Sequence, residues 1–155
     1  MKNIFVHYSV EDERVAAPLS DFLRKSGYNV KTQNSILDSL PENAIFNTQE
    51  VLMNALDKSD LAIILISQNY VRAKSYKLES EIIKRLLKLT NTPLMLIVID
   101  DSTPQFGYGG IGYYEVDKND ILKGNFDELT SFLAIKETEM YQTKIEETAE
   151  KESKK

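Results

Sequence analysis

The sequence has no cysteine, no tryptophan and a single histidine, His7. Without cysteine there can be no disulfides, no thiolate metal sites and no cysteine nucleophile. One histidine makes a multi-histidine zinc site unexpected, so we predict no bound metal. No apolar run approaches the roughly 18 residues needed to cross a bilayer, and we therefore expect no membrane partner.

The charge balance argues against a second class of partner. The formal net charge is −5 over 155 residues, whereas a nucleic-acid partner calls for a basic face, so we expect no nucleic acid. The chain runs from Met1 straight into a strand-like segment, which indicates no signal peptide and makes a cytoplasmic location the default expectation.

Strand-like and helix-like segments alternate along the chain. Short β-rich or wholly apolar runs lie at Lys2–Ser9, Tyr28–Thr32, Leu61–Ile66, Leu94–Ile99 and Tyr113–Val116. Apolar residues at helical spacing begin near Glu13, Thr48, Tyr76 and Phe126. This alternation predicts an α/β protein: a flavodoxin-like three-layer sandwich whose five-stranded parallel sheet carries helices on both faces.

The start of the first helix carries conflicting signals. Ser9 can act as the N-cap, with Asp12 at the acid position of a capping box. Pro18 costs about 3 kcal/mol inside a helix. The sequence therefore predicts a helix that begins irregularly near Glu13 and becomes regular from about Ala16.

The C-terminal helix is predicted to lose contact with the hydrophobic core toward its end. From Lys144 onward the chain is nearly all Lys, Glu, Thr and Ser, a composition typical of solvated segments. We therefore predict one domain over residues 1–136. Residues 137–155 are predicted to be a charged helix end or a disordered tail.

One carboxylate lies on the inward side of the predicted helix Tyr76–Leu89. With Leu78 at zero, Glu79 falls at about 100°, in the middle of the apolar arc, whereas Glu81 falls among the charges. An acidic first-turn residue also complements the helix dipole, so both interpretations are open. The segment follows a polar stretch, Ser67–Lys74, predicted to be a loop at the carboxyl edge of the sheet, where parallel sheets bind ligands.

Several chemistries lack the residues they need at this edge. No G-x-S-x-G motif accompanies His7, which is better interpreted as a core or edge histidine. Ser67 stands where a phosphoacceptor would want Asp, and no glycine fingerprint follows the first strand. One inward carboxylate with hydroxyls and amides suits cleavage of an N-glycosidic bond, because an anion stabilises the oxocarbenium-like transition state. A cationic leaving group such as nicotinamide needs no general acid.

Four segments in order resemble the Toll/interleukin-receptor (TIR) domain family, and the resemblance covers nearly all of residues 2–135. They are Ile4–Asp12 (IFVHYSVED), Leu56–Glu79 with its Ser-x-Asn-Tyr, Leu94–Asp101 and Tyr113–Asp120. Gln33–Asn47 occupies the place of the family's BB loop. The chain most resembles a bacterial-type stand-alone TIR protein.

The resemblance implies an activity. Many bacterial TIR proteins are hydrolases or cyclases that convert NAD+ into ADP-ribose signals, in innate immunity and antiviral defence. The family's catalytic glutamate follows the tyrosine of Ser-x-Asn-Tyr by nine residues, and counting from Tyr70 gives Glu79. NAD+ would then be a consumed substrate, with no cofactor. Self-association through TIR–TIR contacts that include Gln33–Asn47 is expected.

The resemblance also suggests which residues bind substrate. Glu79 would hold the ribose hydroxyls and stabilise the oxocarbenium, and Tyr8 and Ser9 would line the ribose or phosphate pocket. The further candidates are Phe46, Ser67, Ser75 and Tyr76. The family usually has tryptophan and then cysteine where this chain has Ser75 and Tyr76.

Two other functions are open at this point. TIR domains include non-catalytic interaction modules, such as adaptors and effectors, that assemble through the BB loop. A nucleoside deoxyribosyltransferase-like enzyme combines a related sheet with glutamate chemistry on a ribosyl carbon. Nicotinamide release distinguishes an NAD+ nucleosidase from the first, and base exchange on deoxynucleosides would reveal the second.

Overall fold

In the computed structural model, five parallel strands form one sheet in the order β2–β1–β3–β4–β5. The strands are β1 Asn3–His7, β2 Asn29–Thr32, β3 Leu61–Ile66, β4 Leu94–Val98 and β5 Tyr113–Glu115. The structure describes residues 2–32, 35, 48–72, 85, 88–101 and 112–153, without the side chains of residues 48, 49, 52 and 141–153.

The strands differ in burial as their positions in the sheet require. Every residue of β3 is buried, because a central parallel strand is covered on both faces. β2 lies at an edge of the sheet and alternates exposed and buried residues. The predicted α/β architecture, with a five-stranded parallel sheet between helices, is confirmed.

The helices of the described part of the chain follow the strands. They are a 3₁₀ helix at Val10–Asp12, then α1 Glu13–Lys25, α2 Thr48–Asp57, α3 Gln68–Arg72, α4 Lys118–Lys123 and α5 Asp127–Ser153. Within the described residues, none of these helices has the length and hydrophobicity required to cross a membrane.

Two separate hydrophobic clusters cover the two faces of the sheet. On one face, α1, α4 and α5 pack through Leu19, Ile121 and Leu129. On the other face, α2 and α3 pack through Leu56 and Tyr70. Each β3 residue points to one cluster or the other in alternation, so this strand joins both halves of the core.

Pro18 does not disturb α1. The helix is continuous from Glu13 to Lys25, so the predicted irregular start is wrong. Val15, Ala16 and Leu19 are buried on either side of the proline. Their packing against the sheet offsets the missing backbone hydrogen bond.

The short helix α4 was not predicted, although its sequence contains signals for both ends. Asp117 accepts a hydrogen bond from the Asn119 backbone N–H at 2.8 Å, as an N-cap does. Gly124 ends the helix with φ of 81°, in the left-handed region that glycine tolerates.

The terminal helix is attached to the domain beyond residue 136. Met140 is 2 % exposed within the core. Glu137 accepts hydrogen bonds from Lys2 Nζ at 2.5 Å and from the Tyr28 hydroxyl. The Lys2 bond, followed by the Tyr28 bond, lowers the pKa of Glu137. Burial, followed by the bond to Glu137, raises the pKa of Tyr28 to about 12. The predicted boundary at residue 136 stays a prediction.

These shifts predict a pH-dependent contribution of Glu137 to stability. A lowered pKa means that the contribution is present above the ordinary glutamate value of 4.5 and is lost as the pH falls below it. Because both partners are partly exposed, the effect should stay below about 1 kcal/mol. Urea unfolding of the parent and Glu137→Gln should give free energies that differ at pH 7 and converge as the pH falls through the lowered pKa of Glu137.

The control is Glu139→Gln on the same helix. Glu139 pairs with Lys136 at 2.7 Å, and its side chain is 50 % exposed. Its substitution should change the unfolding free energy less than Glu137→Gln does at pH 7. Equal effects of the two substitutions at every pH would contradict the prediction.

Candidate functional site

A buried carboxylate joins the carboxyl ends of β1 and β3. The two strands are neighbours, with His7 paired to Ile64, so the segments that follow them meet at one edge of the sheet. Asp12 ends the 3₁₀ helix after β1 and is only 6 % exposed. Its carboxylate accepts hydrogen bonds from the Ser67 hydroxyl and, at 2.9 Å, from Asn69 Nδ2.

Ser67 connects that carboxylate to the backbone of α3. Its Oγ accepts a hydrogen bond from the Tyr70 N–H at 3.0 Å, and its carbonyl accepts from the Val71 N–H at 3.1 Å. This is the bonding of a serine N-cap. It accounts for a helix at Gln68–Arg72, inside the segment that was predicted to be a polar loop, and that prediction is wrong.

Two further contacts hold α3 in place. Asp100, after β4, accepts a hydrogen bond from the Gln68 N–H at 2.9 Å. The Tyr70 ring lies edge-on to His7 of β1, with ring centroids 5.5 Å apart. Both rings are 2 % exposed, which confirms the interpretation of His7 as a core histidine.

Ser9 does not cap the first helix, so that prediction is wrong. Its hydroxyl donates to the Glu11 carboxylate, a bond that lowers the pKa of Glu11. The backbone N–H of Asp12 bonds to the Ser9 carbonyl at 2.8 Å in a 3₁₀ turn. The capping box fails because the Asp12 side chain bonds to Ser67 and Asn69 across the sheet.

Tyr8 lines one of two cavities at this edge, and Ser67 lines neither of them. Tyr8 donates to the Glu13 carboxylate and lines a cavity of about 350 Å³ between α1 and the end of β2. A larger cavity of about 830 Å³ lies beyond the ends of β3, β4 and β5, next to Gln68 and Asn69. No described residue lines both.

The larger cavity is strongly acidic. Its described lining residues include one cation, Lys118, and six carboxylates: Asp100, Asp101, Glu115, Asp117, Asp120 and Glu128. Like charges repel, so these walls disfavour the phosphates of a dinucleotide. Among the described residues, no three Asp, Glu or His side chains are grouped to hold a metal ion.

Most of the predicted site lies outside the described residues. This applies to Glu79, Phe46, Ser75 and Tyr76, and to nearly all of Gln33–Asn47. Their roles therefore stay predictions. The structure describes Tyr8, Ser9 and Ser67, and of these it joins only Ser67 to Asp12 by a side-chain hydrogen bond.

Sequence reasoning missed the role of Asp12, although the pattern contained a signal. Asp12, Val15, Ala16 and Leu19 are spaced three or four residues apart and fall on one helical face. The helical-wheel argument that selected Glu79 selects Asp12 as well. Asn69 carried no local signal, because its partner lies 57 residues away along the chain.

Comparisons with known proteins agree on one family. The TIR domain family model matches residues 4–130. The TIR domain of the Toll-related receptor TRR-2 from Hydra magnipapillata is similar in fold, with 16% identity, a TM-score of 0.57, and coverage of 84% of this chain and 97% of that one. The TIR domains of the activated Roq1 resistosome, which directly recognises the effector XopQ, match with 18% identity and a TM-score of 0.53, over 66% of this chain and 60% of that one. No curated protein sequence matches.

Ser67→Ala tests whether the Ser67 hydroxyl stabilises the site. It removes the cap of α3 and one partner of a buried carboxylate, so it should lower the unfolding free energy by about 1–3 kcal/mol. Urea unfolding at pH 7 measures the loss. Ser26→Ala is the control, because that exposed hydroxyl only donates to the Phe22 carbonyl. Equal losses for the two variants would show that the Asp12–Ser67 bond contributes nothing particular.

Proposed function

This chain belongs to the TIR domain family, and we propose that it cleaves the bond between nicotinamide and ribose in NAD+. The products would be nicotinamide and ADP-ribose or a cyclic ADP-ribose. The proposal is supported most by the junction of β1 and β3. There, Asp12 from the first TIR-like segment holds Ser67 from the segment that ends in Glu79.

The proposed reaction needs one anion at the reacting carbon. The C1′–N bond breaks, and its electron pair returns to the nicotinamide nitrogen, which neutralises the leaving group. The ribosyl carbon becomes oxocarbenium-like, and the Glu79 carboxylate would stabilise that charge. Water then adds to C1′ and loses a proton; in cyclisation, a nucleophilic atom of the ADP-ribose moiety takes the place of water.

The described contacts refine the roles proposed for two residues. The proton of the Ser67 hydroxyl is committed to Asp12, and its oxygen accepts the Tyr70 N–H. Ser67 is therefore better suited to holding α3 than to binding ribose. Tyr8 lines a cavity with Arg24, whose guanidinium also pairs with Asp21 at 3.4 Å, so a phosphate group bound there would compete with Asp21 for this cation.

The proposed partner is a second copy of the chain. The Roq1 match is to TIR domains within an activated resistosome, and this supports self-association. That the surfaces include Gln33–Asn47 rests on the resemblance to the TIR family alone. The resemblance to bacterial TIR proteins supports a role in antiviral signalling in the cytoplasm.

Glu79→Gln tests the proposed chemistry. The amide keeps the shape of the side chain and removes its charge, so nicotinamide release should fall by about 10²–10³-fold. Glu81→Gln is the matched control, because Glu81 lies two positions away among the predicted solvent-facing charges. Nicotinamide is quantified by chromatography after incubation of purified protein with NAD+.

The outcomes separate the three candidate functions. Release that survives Glu79→Gln would remove Glu79 from the mechanism. No release by the parent chain at any concentration would favour a non-catalytic interaction module. Exchange of bases between deoxynucleosides, without NAD+ cleavage, would identify a deoxyribosyltransferase-like enzyme.

Dependence on self-association predicts a dependence on concentration. Nicotinamide release per chain should rise as the protein concentration increases, because a site completed by two copies forms by mass action. The rate of nicotinamide release is measured across a dilution series, and light scattering on the same samples gives the associated fraction. The rate per chain should rise together with that fraction. A constant rate per chain across the transition would contradict a shared site.

A further inference from the structure

We propose that Asp12 is a positioning residue for the reaction: through Ser67 and Asn69 it fixes the direction in which the chain leaves β3 toward Glu79. The catalytic consequence rests on the proposed function. The geometric part rests on the described contacts alone, in which Asp12 is 6 % exposed and bonds to both side chains.

The burial of Asp12 is the first argument. A buried carboxylate is unfavourable unless its oxygens are hydrogen-bonded. Here each oxygen has a separate donor: Oδ2 accepts from Ser67 and Oδ1 from Asn69 Nδ2. Ser67 immediately precedes α3 and Asn69 lies within it, so the carboxylate holds this turn at two points.

The direction of the hydrogen bonds is the second argument. The Tyr70 N–H donates to Ser67 Oγ, and the Ser67 proton goes on to Asp12. A hydroxyl has one proton, and Asp12 is the acceptor that receives it here, so the carboxylate fixes the orientation of the capping hydroxyl.

The position of α3 in the chain is the third argument. The described contacts at its start come from neighbouring elements, namely Asp12 through Ser67 and Asn69, and Asp100 through the Gln68 N–H. Glu79 follows Arg72 by seven residues in the sequence, so the proposal predicts that a change in direction at α3 affects the proposed catalytic carboxylate.

Other contacts keep α3 attached when Asp12 is lost. Asp100 still accepts from the Gln68 N–H, and Tyr70 still packs against His7. We therefore expect Asp12→Ala to fold, with the β3–α3 turn less constrained. Misplacement of a reacting group lowers the rate of the bound complex more than it weakens substrate binding.

Asp12→Asn distinguishes an effect of the two hydrogen bonds from an effect of the negative charge. The asparagine Oδ1 can accept from Ser67, and its Nδ2 can donate to Asn69 after the Asn69 amide turns over. The variant therefore keeps both bonds and removes the negative charge. Retained activity in this variant, beside loss in Asp12→Ala, is the signature of a positioning role.

The experiment measures kcat and KM for nicotinamide release from NAD+ by the full chain and its variants. Asp12→Ala should lower kcat by about 100-fold with KM nearly unchanged. Asp12→Asn should restore kcat to within about threefold of the parent. Ser67→Ala removes the other end of the same bond, and the double variant should lose no more than the larger single loss.

Amide hydrogen exchange gives a second measurement that needs no substrate. The Tyr70 and Val71 amides should exchange at least about tenfold faster in Asp12→Ala than in the parent, and near the parental rate in Asp12→Asn. Asp60→Ala is the control. Asp60 accepts from the Asn3 N–H at 2.8 Å at the opposite end of the sheet, so both amides should keep their exchange rates.

Each outcome has one interpretation. Unchanged kcat or unchanged exchange in Asp12→Ala would overturn the inference, as would Asp12→Asn being as impaired as Asp12→Ala. If Asp12→Ala does not fold, exchange of the Tyr70 and Val71 amides is compared between Ser67→Ala and the parent. Unchanged exchange in Ser67→Ala would overturn the inference. An inactive parent chain would overturn the proposed function and the catalytic consequence, while exchange still decides whether Asp12 fixes the turn.

Discussion

The hydrogen bond between Asp12 and Ser67 joins parts of the chain that the sheet alone would leave independent. β1 and β3 are paired along their backbones, but the segments beyond their ends have no ladder to hold them. The carboxylate supplies that connection within a buried site, where a charged hydrogen bond is strongest. That contact orients the serine hydroxyl that caps α3.

The two cavities at this edge differ in electrostatic character, which bears on where a dinucleotide can bind. The smaller one contains Arg24 together with Glu13 and Asp21, and it lies beside Tyr8. The larger one is surrounded mainly by carboxylates. An anionic substrate would therefore be attracted least to the more voluminous cavity, so volume is a poor guide to the binding site here.

The sheet could be predicted because its signal is local and continuous. β3 occupies Leu61–Ile66, the same residues as the apolar run. The helix α3 was missed because its start depends on distant partners, including Asp100, which is 32 residues from the N–H it accepts. The prediction for Asp12 failed for the same reason: a capping box is a local pattern, and it was overridden by partners across the sheet. Glu79 was selected from sequence alone and lies outside the described residues.

The two edges of the sheet restrict how copies of this domain can meet. Within the described residues, β2 has four residues and β5 has three. A strand added to either edge would gain few backbone hydrogen bonds, and short edge strands are one way in which proteins prevent continuation of a sheet. The proposed assembly would then depend mainly on side-chain surfaces of helices and loops. Such contacts can be formed and broken, so an assembly built on them would be reversible.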